Sequence, residues 1–330
     1  AIPAVEPATS HAAPSSPPVS WRTRAYWTAL AAVPSGLMLS TTSHLTTDLM
    51  AMPLIWVIPL GLYLLSFSVA FADNRKLADR ITQIAPVILL LTAAFALMVG
   101  GKAVVYGLVA SATMLFVVAV ALHSEMYRTR PAPDRLTEFY LIMSFGGMLG
   151  GLFCAIAAPL LFDWPWEHPV LILGAALLLP QMRLVKLQDD GMFKGQSFLL
   201  IALLLLAMIL FLGYMNNIAL DRELNTPKIL LTIAALVISS FLIGKRLPFA
   251  IAVLALILAN GGWYNMLLSA SDTRWRSYFG TYTVNSTANG KVRWLSHGTT
   301  LHGIQFRDKP SPPISYYGPN SGVGLAFTQA

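Results

Sequence analysis

Three residues near the start of the chain carry side chains suited to chemistry: Ser40, His44 and Asp48. They lie in a polar stretch between two apolar runs and, on a helix, would share one face because they are spaced four apart. A carboxylate one turn from an imidazole could carry a proton or bind a cationic amine inside a membrane. One interpretation is therefore a broken helix with an intramembrane polar site. The other is a short loop outside the bilayer, in which Thr47 or Asp48 caps the following helix.

The composition predicts that these residues belong to a membrane protein. Of the 330 residues, 56% are hydrophobic and 11% are charged, whereas soluble domains carry about 25% charged residues. The net charge of +7 comes mostly from basic residues in short loops, where orientation in a membrane explains them, so we do not expect nucleic acid as a partner. The single cysteine, Cys154, excludes an internal disulfide and is expected to serve packing. We expect no metal site.

Long apolar runs predict an all-α polytopic membrane protein with about nine transmembrane helices, since a bilayer needs about 20 residues per helix. We assign this transmembrane domain to residues 21–270, after a linker at 1–20 that is rich in Pro, Ala and Ser. The expected location is a bacterial inner membrane, crossed several times, with the lipid bilayer as a partner. The apolar runs are 26–43, 53–72, 81–99, 103–122, 139–162, 169–181, 197–215, 229–243 and 247–268.

The fifth apolar run contains two overlapping pairs of glycines spaced four apart. They are Gly146 with Gly150 and Gly147 with Gly151. Such pairs leave a groove in which a second helix can approach closely. No lysine and no preceding strand accompany them, so a phosphate-binding loop is disfavoured. We expect helix packing here, and a homo-oligomer formed through this helix is a candidate assembly.

The character of the sequence changes in residues 271–330. Strand-like runs with an Asn-Gly turn between the first two predict a short C-terminal β-hairpin module. The runs are 276–285, 291–297 and 300–306. A hairpin of this size cannot stand alone, so we expect the domain that it opens to continue beyond Ala330. The later Gly322-Val-Gly324 is only a weak nucleotide-binding signal, with no helix expected after it.

Six motifs, in this order along the chain, are HLTTD at 44–48, PLIWVIPLGLYLL at 53–65, LTEFYL at 136–141, APLLF at 158–162, HGTTLHGIQ at 297–305 and YYGPNSGVG at 316–324. Together they resemble the membrane-fused spermidine synthase-like proteins, also described as fused major-facilitator/spermidine synthase proteins. These bacterial chains join a polytopic membrane half to a polyamine aminopropyltransferase-like domain. The resemblance implies that residues 271–330 are the truncated N-terminal β module of that domain.

The resemblance also implies a substrate pocket. In soluble aminopropyltransferases a β module precedes a Rossmann-like domain that binds decarboxylated S-adenosylmethionine, and a glutamine and a tyrosine near the junction help form the pocket. Gln305 and Tyr316 or Tyr317 occupy comparable places and are the expected substrate-binding residues. The usual acidic residue before the glutamine is absent, since His297 or His302 precedes the glycine. We expect no catalytic residue and no cofactor within this stretch, although decarboxylated S-adenosylmethionine and a polyamine are implied for a full-length protein.

Two other functions stay open from the residues alone. The first is a transporter or permease for a polyamine or another small cation, with His44 and Asp48 as its substrate or proton site. The scarcity of ionisable residues within the apolar runs counts against charge-coupled transport. The second is a non-catalytic membrane scaffold that tethers or dimerises through the glycine-rich helix.

Overall fold

The computed structural model describes residues 16–49, 54–93, 104–181, 195–216, 226–287, 289–298, 300–308, 314 and 318–329. A packed set of helices makes up most of the described chain, and an antiparallel sheet of four strands follows it. The helices are α1 (Trp21–Ser43), α2 (Val57–Ala70), α3 (Lys76–Ala93), α4 (Val104–Arg128), α5 (Leu136–Leu152), α6 (Ala158–Leu161), α7 (Glu167–Leu178), α8 (Gly195–Asn216), α9 (Thr226–Ser240), α10 (Arg246–Ile257), α11 (Trp263–Ser269) and α12 (Gly322–Gln329).

The prediction of about nine transmembrane helices is wrong for the part of the chain that the structure describes. Three helical segments there are long and apolar enough to cross a membrane: Val105–Arg128, Pro133–Leu161 and Arg246–Ser269. The other apolar helical stretches have 10–17 fully described residues, which is short of the roughly 20 that a bilayer requires. These stretches are Val57–Ala70, Glu167–Leu178, Ser197–Leu210 and Ile229–Ser240; helix α8 itself runs on to Asn216, but the side chains of 211–216 lie outside the described residues.

Charged first turns and early helix ends explain why the apolar runs overestimated the spans. Helix α3 begins at Lys76 and carries Asp79 and Arg80 in its first turns, so only its second half is apolar. Helix α7 begins at a buried Glu167 and ends at Leu178, two residues before a proline. Hydropathy alone does not separate such helices from true spans, because a buried helix is apolar all round as well.

The core lies where α1 packs against α5, α4 and α7. Trp27 of α1 meets the edge of Phe139 of α5, with ring centroids 5.0 Å apart. Its indole nitrogen donates to the hydroxyl of Thr129 at 3.1 Å. Gly146 and Gly150 of α5 make this crossing close, because a methyl group on either would overlap backbone carbonyl oxygens of α1. One glycine pair is therefore used for packing inside the chain.

The last candidate span, Arg246–Ser269, bends at a π-helical turn, Leu258–Gly262. Asn260 there has φ −109° and ψ 42°, and Gly261 has φ +113°, which interrupts the regular backbone hydrogen bonds. The amide nitrogen of Asn265 donates to the carbonyl of Gly261 at 2.9 Å, and that of Asn260 donates to the carbonyl of Leu256 at 2.9 Å. Side-chain amides thus satisfy backbone groups that a kink leaves open in an apolar environment.

The sheet is an antiparallel meander in the order β1-β2-β3-β4. Its strands are β1 (Arg274–Ser277), β2 (Gly280–Ser286), β3 (Val292–His297) and β4 (Thr300–Phe306). The predicted runs 291–297 and 300–306 agree with β3 and β4, whereas the run 276–285 is divided by a tight turn at Tyr278 and Phe279. The expectation of a short hairpin is corrected to a sheet of four strands.

Candidate functional site

Two polar clusters lie next to each other where α1, α7 and the sheet meet. The first, the histidine cluster, consists of Ser40 at the end of α1, His44 in the π-helical turn His44–Leu49, and His168 in the first turn of α7. These side chains are 3%, 4% and 2% exposed. The hydroxyl oxygen of Ser40 lies 2.9 Å from Nδ1 of His168. The rings of His44 and His168 stack with centroids 5.3 Å apart.

His168 has one ring nitrogen engaged and one available. Its Nδ1 shares the hydrogen bond with Ser40, while its buried Nε2 has no hydrogen-bond partner among the residues that the structure describes. A neutral imidazole donates from one nitrogen and accepts at the other. The Ser40 contact therefore sets which role Nε2 plays toward a ligand, a water molecule or a proton.

The structure places the predicted residues Ser40 and His44 in continuous helix and not in a loop. Both are buried against α7 through His168. Asp48 lies in the same π-helical turn, but its side chain falls outside the described residues. His168 was not among the predicted site residues. The signal that pointed to it was the pair Glu167 and His168 directly before an apolar run.

The second cluster, the docking cluster, joins the sheet to the helices. Arg276 of β1 makes a bidentate ion pair with Glu167, with Nη1 to Oε2 at 2.7 Å and Nη2 to Oε1 at 2.6 Å. The side chains of Arg276 and Glu167 are only 9% and 2% exposed. Nη1 of Arg276 also donates to the carbonyl oxygen of Trp164 at 3.0 Å. Paired, fork-shaped contacts of this kind fix orientation as well as distance.

Arg274, the other basic residue of β1, completes the docking cluster. Its side chain is 1% exposed, and its Nε donates to Asp163 at 2.9 Å. Its Nη1 donates to the side-chain oxygen of Asn265 at 2.9 Å, and its Nη2 donates to the hydroxyl of Ser269 at 2.7 Å. These contacts of Arg274 hold the sheet to α11 and to the segment between α6 and α7.

Sequence reasoning assigned these arginines to membrane orientation and missed the docking cluster. A signal was present, since alternate residues of a strand point to the same face. Arg274 and Arg276 alternate in β1, while Asp163 and Glu167 are four apart on the opposing segment. Two arginines on one face of a strand and two carboxylates one helical turn apart could have indicated an ion-paired interface.

Gln305, the predicted substrate-binding glutamine, is exposed on β4. It lines a shallow groove of about 320 Å³ on the sheet, together with Arg293, Trp294 and Leu295. The strand register pairs Arg293 with Gln305. The predicted tyrosines, Tyr316 and Tyr317, lie outside the described residues.

The histidines of the sheet come near each other. The rings of His297 and His302 are 5.8 Å apart, although an extended chain would point them to opposite faces. Among the described residues, no three His, Cys, Asp or Glu side chains gather as a metal site would require.

No helix was expected after Gly322, but the short helix α12 begins at this residue.

Another buried histidine lies in α4. His123 of α4 is 0% exposed, and its Nδ1 lies 2.9 Å from the hydroxyl oxygen of Ser66 of α2. Its ring stacks on Phe67 with centroids 3.7 Å apart.

Cys154 is buried, as expected of a packing residue, with its sulfur 3.3 Å from the carbonyl oxygen of Gly36.

Comparison with known proteins adds no relative. No family model matches this chain, and neither the curated proteins nor the solved structures gave a match. What the chain does must therefore be argued from its own two clusters and its candidate spans.

Proposed function

We propose that this chain is the integral membrane portion of a spermidine synthase-like fusion protein. In this role the helices form a multi-pass inner-membrane unit and hold an aminopropyltransferase-type β module at the membrane surface. The observation that carries the proposal is the buried ion pair between Arg276 and Glu167, which fixes the sheet to the start of α7. The membrane association that this proposal requires is supported by three helices that are long and apolar enough to cross a bilayer.

The orientation of the sheet supports a platform role. Arg274 and Arg276 point toward the helices, so the alternate residue Trp275 lies on the opposite face. The strand register places Arg293 and Gln305 on the same face of the sheet as Trp275. The groove that contains Gln305 therefore faces away from the helical unit and is open to a following domain.

The chemistry of the groove limits what the sheet contributes. Among the described residues, its lining includes the guanidinium of Arg293 and the amide of Gln305 but no carboxylate. A protonated polyamine would meet a like charge there. Under this proposal the sheet positions the catalytic module, and the groups that activate the amine belong to other parts of the protein.

The test is an aminopropyl-transfer assay on the protein at its natural full length, reconstituted in nanodiscs. It is supplied with decarboxylated S-adenosylmethionine and putrescine, and spermidine is measured by mass spectrometry. Product formation supports the proposal. Absence of transfer to putrescine and to other primary amines contradicts the enzymatic part.

A transport function is the second candidate, and the histidine cluster favours it. Ser40, His44 and His168 form a buried polar site inside the helical unit, and such sites often mark substrate or proton pathways. Proteoliposomes would be assayed for uptake of radiolabelled putrescine. His168→Gln and Asp48→Asn should abolish uptake, while His302→Gln on the sheet serves as the matched control. Uptake that survives both changes in the helical unit rules this function out.

A further inference from the structure

Two aromatic side chains form the turn between β1 and β2 and are the most exposed part of the sheet's first hairpin. Tyr278 is 78% exposed and Phe279 is 81% exposed. Their neighbours in the hairpin, Ser277, Gly280 and Thr281, carry no charge. An uncharged turn with two exposed aromatic rings is unusual on a surface that faces water only.

The turn, which we call the aromatic tip, is held in place by specific contacts. The backbone nitrogen of Phe279 donates to the hydroxyl of Ser277 at 3.2 Å, and the carbonyl oxygen of Phe279 lies 3.1 Å from Nε2 of His297. Gly280 has φ +138°, and a methyl group on it would overlap the ring of His297. These contacts fix the backbone of the turn that carries the two rings.

The aromatic tip lies at the end of a candidate span. A small pocket of about 110 Å³ is lined by Pro159, Tyr278 and Phe279, together with Ser43, Pro165 and Arg276. Pro159 belongs to α6, the last turn of the candidate span Pro133–Leu161. The two residues after it, Leu160 and Leu161, are 81% and 71% exposed.

The exposed leucines indicate that lipid surrounds the end of this candidate span, next to the aromatic tip. Large apolar side chains at the end of a membrane span face lipid near the boundary of the hydrocarbon layer. The aromatic tip shares a pocket with Pro159, the residue directly before these leucines, and the buried Arg276–Glu167 pair holds its hairpin against α7. Tyrosine and other amphipathic aromatic rings are enriched at that depth, where lipid headgroups begin.

We propose that the aromatic tip inserts into the headgroup layer of the bilayer, so that a lipid surface is the partner of the β1–β2 hairpin. The sheet is then held by two attachments: the docking cluster on the helices and the aromatic tip in the lipid. This inference rests on the membrane part of the proposed function, since the span that ends in α6 must cross the bilayer.

Spin labels at single cysteines would test the inference in the whole chain reconstituted in nanodiscs. Cys154→Ala removes the native thiol, after which Phe279→Cys places a label on the aromatic tip. Lys291→Cys is the water reference, because it lies in the turn at the opposite end of β2 and is exposed. Leu160→Cys is the lipid reference. If Cys154→Ala does not fold, the buried Cys154 is kept and the labelled parent protein supplies the background.

The measurement is the relaxation of each label by oxygen, which concentrates in lipid, and by a neutral nickel complex, which concentrates in water. We expect the ratio of oxygen to nickel accessibility to be several-fold higher at 279 and 160 than at 291. A label at 279 that behaves like the one at 291, while 160 reports lipid, overturns the inference and leaves membrane insertion intact. A label at 279 that neither reagent reaches shows cover by protein and also overturns it. If 160 itself reports water, the membrane part of the proposed function fails.

Discussion

Replacement of Arg276 by methionine is the sharpest perturbation of the docking cluster. Methionine keeps much of the aliphatic stem but removes the charge that pairs with Glu167. Because that carboxylate is only 2% exposed, it would be left charged and nearly dry. Its remaining alternatives are to take up a proton or to open the interface and reach water.

The structure sets the size of the effect. Removing one partner of a buried ion pair costs about 3–5 kcal/mol, and the lost hydrogen bond from Arg276 to Trp164 adds about 1 kcal/mol. Opening of the interface is the route by which the amides of β1 and β2 exchange with solvent. Since each 1.4 kcal/mol is tenfold in an equilibrium constant, a total cost of about 4–6 kcal/mol should accelerate their exchange roughly 1,000-fold or more.

Hydrogen–deuterium exchange with mass spectrometry, on the protein in nanodiscs, measures this effect directly. The matched control is Arg293→Met, the same change at an exposed position of β3, which should leave exchange in β1 and β2 unaltered. A double variant, Arg276→Met with Glu167→Leu, should regain part of the protection because no buried charge is left unpaired. Equal exchange in Arg276→Met and Arg293→Met would show that the Arg276–Glu167 pair does not hold the sheet to the helices.

Three further predictions concern packing and buried hydrogen bonds. Gly150→Ala should lower stability by about 1–3 kcal/mol through overlap with the α1 backbone, whereas Gly151→Ala, whose nearest contact is 3.8 Å away, should be close to neutral in thermal unfolding. Gly280→Ala should destabilise the β1–β2 turn by about 1–3 kcal/mol because of its positive φ, seen as faster exchange confined to that hairpin. Ser66→Ala should lower thermal stability by about 1–3 kcal/mol, because it removes the partner of the fully buried His123; an unchanged melting temperature would mean that this bond contributes little.

The sequence predicted where apolar helices lie better than how many of them span a membrane. The run at 247–268 falls within a candidate span and the run at 103–122 overlaps another over most of its length, because these runs are both long and apolar. The run at 81–99 does not correspond to a candidate span, since α3 begins earlier, at the charged Lys76. Hydropathy reports burial from water, and burial inside a helical unit and burial in lipid give the same signal.

The polar clusters were only partly predictable. The spacing of Ser40 and His44 placed them on one helical face, which local geometry determines. His168 lies 128 residues from Ser40 in the chain, and Glu167 lies 109 residues from Arg276. Pairings over such separations depend on how helices and sheet pack, which no local pattern encodes. The strands β3 and β4 were located because their turn chemistry is local.

The proposed function requires the helices to be integral to a membrane, and alkaline extraction measures whether they are. Membranes that contain the protein are washed with sodium carbonate at high pH, which strips peripheral proteins, and are then sedimented. We expect the protein to stay in the membrane pellet and to enter solution only with detergent. Release into the carbonate supernatant as soluble protein would contradict it.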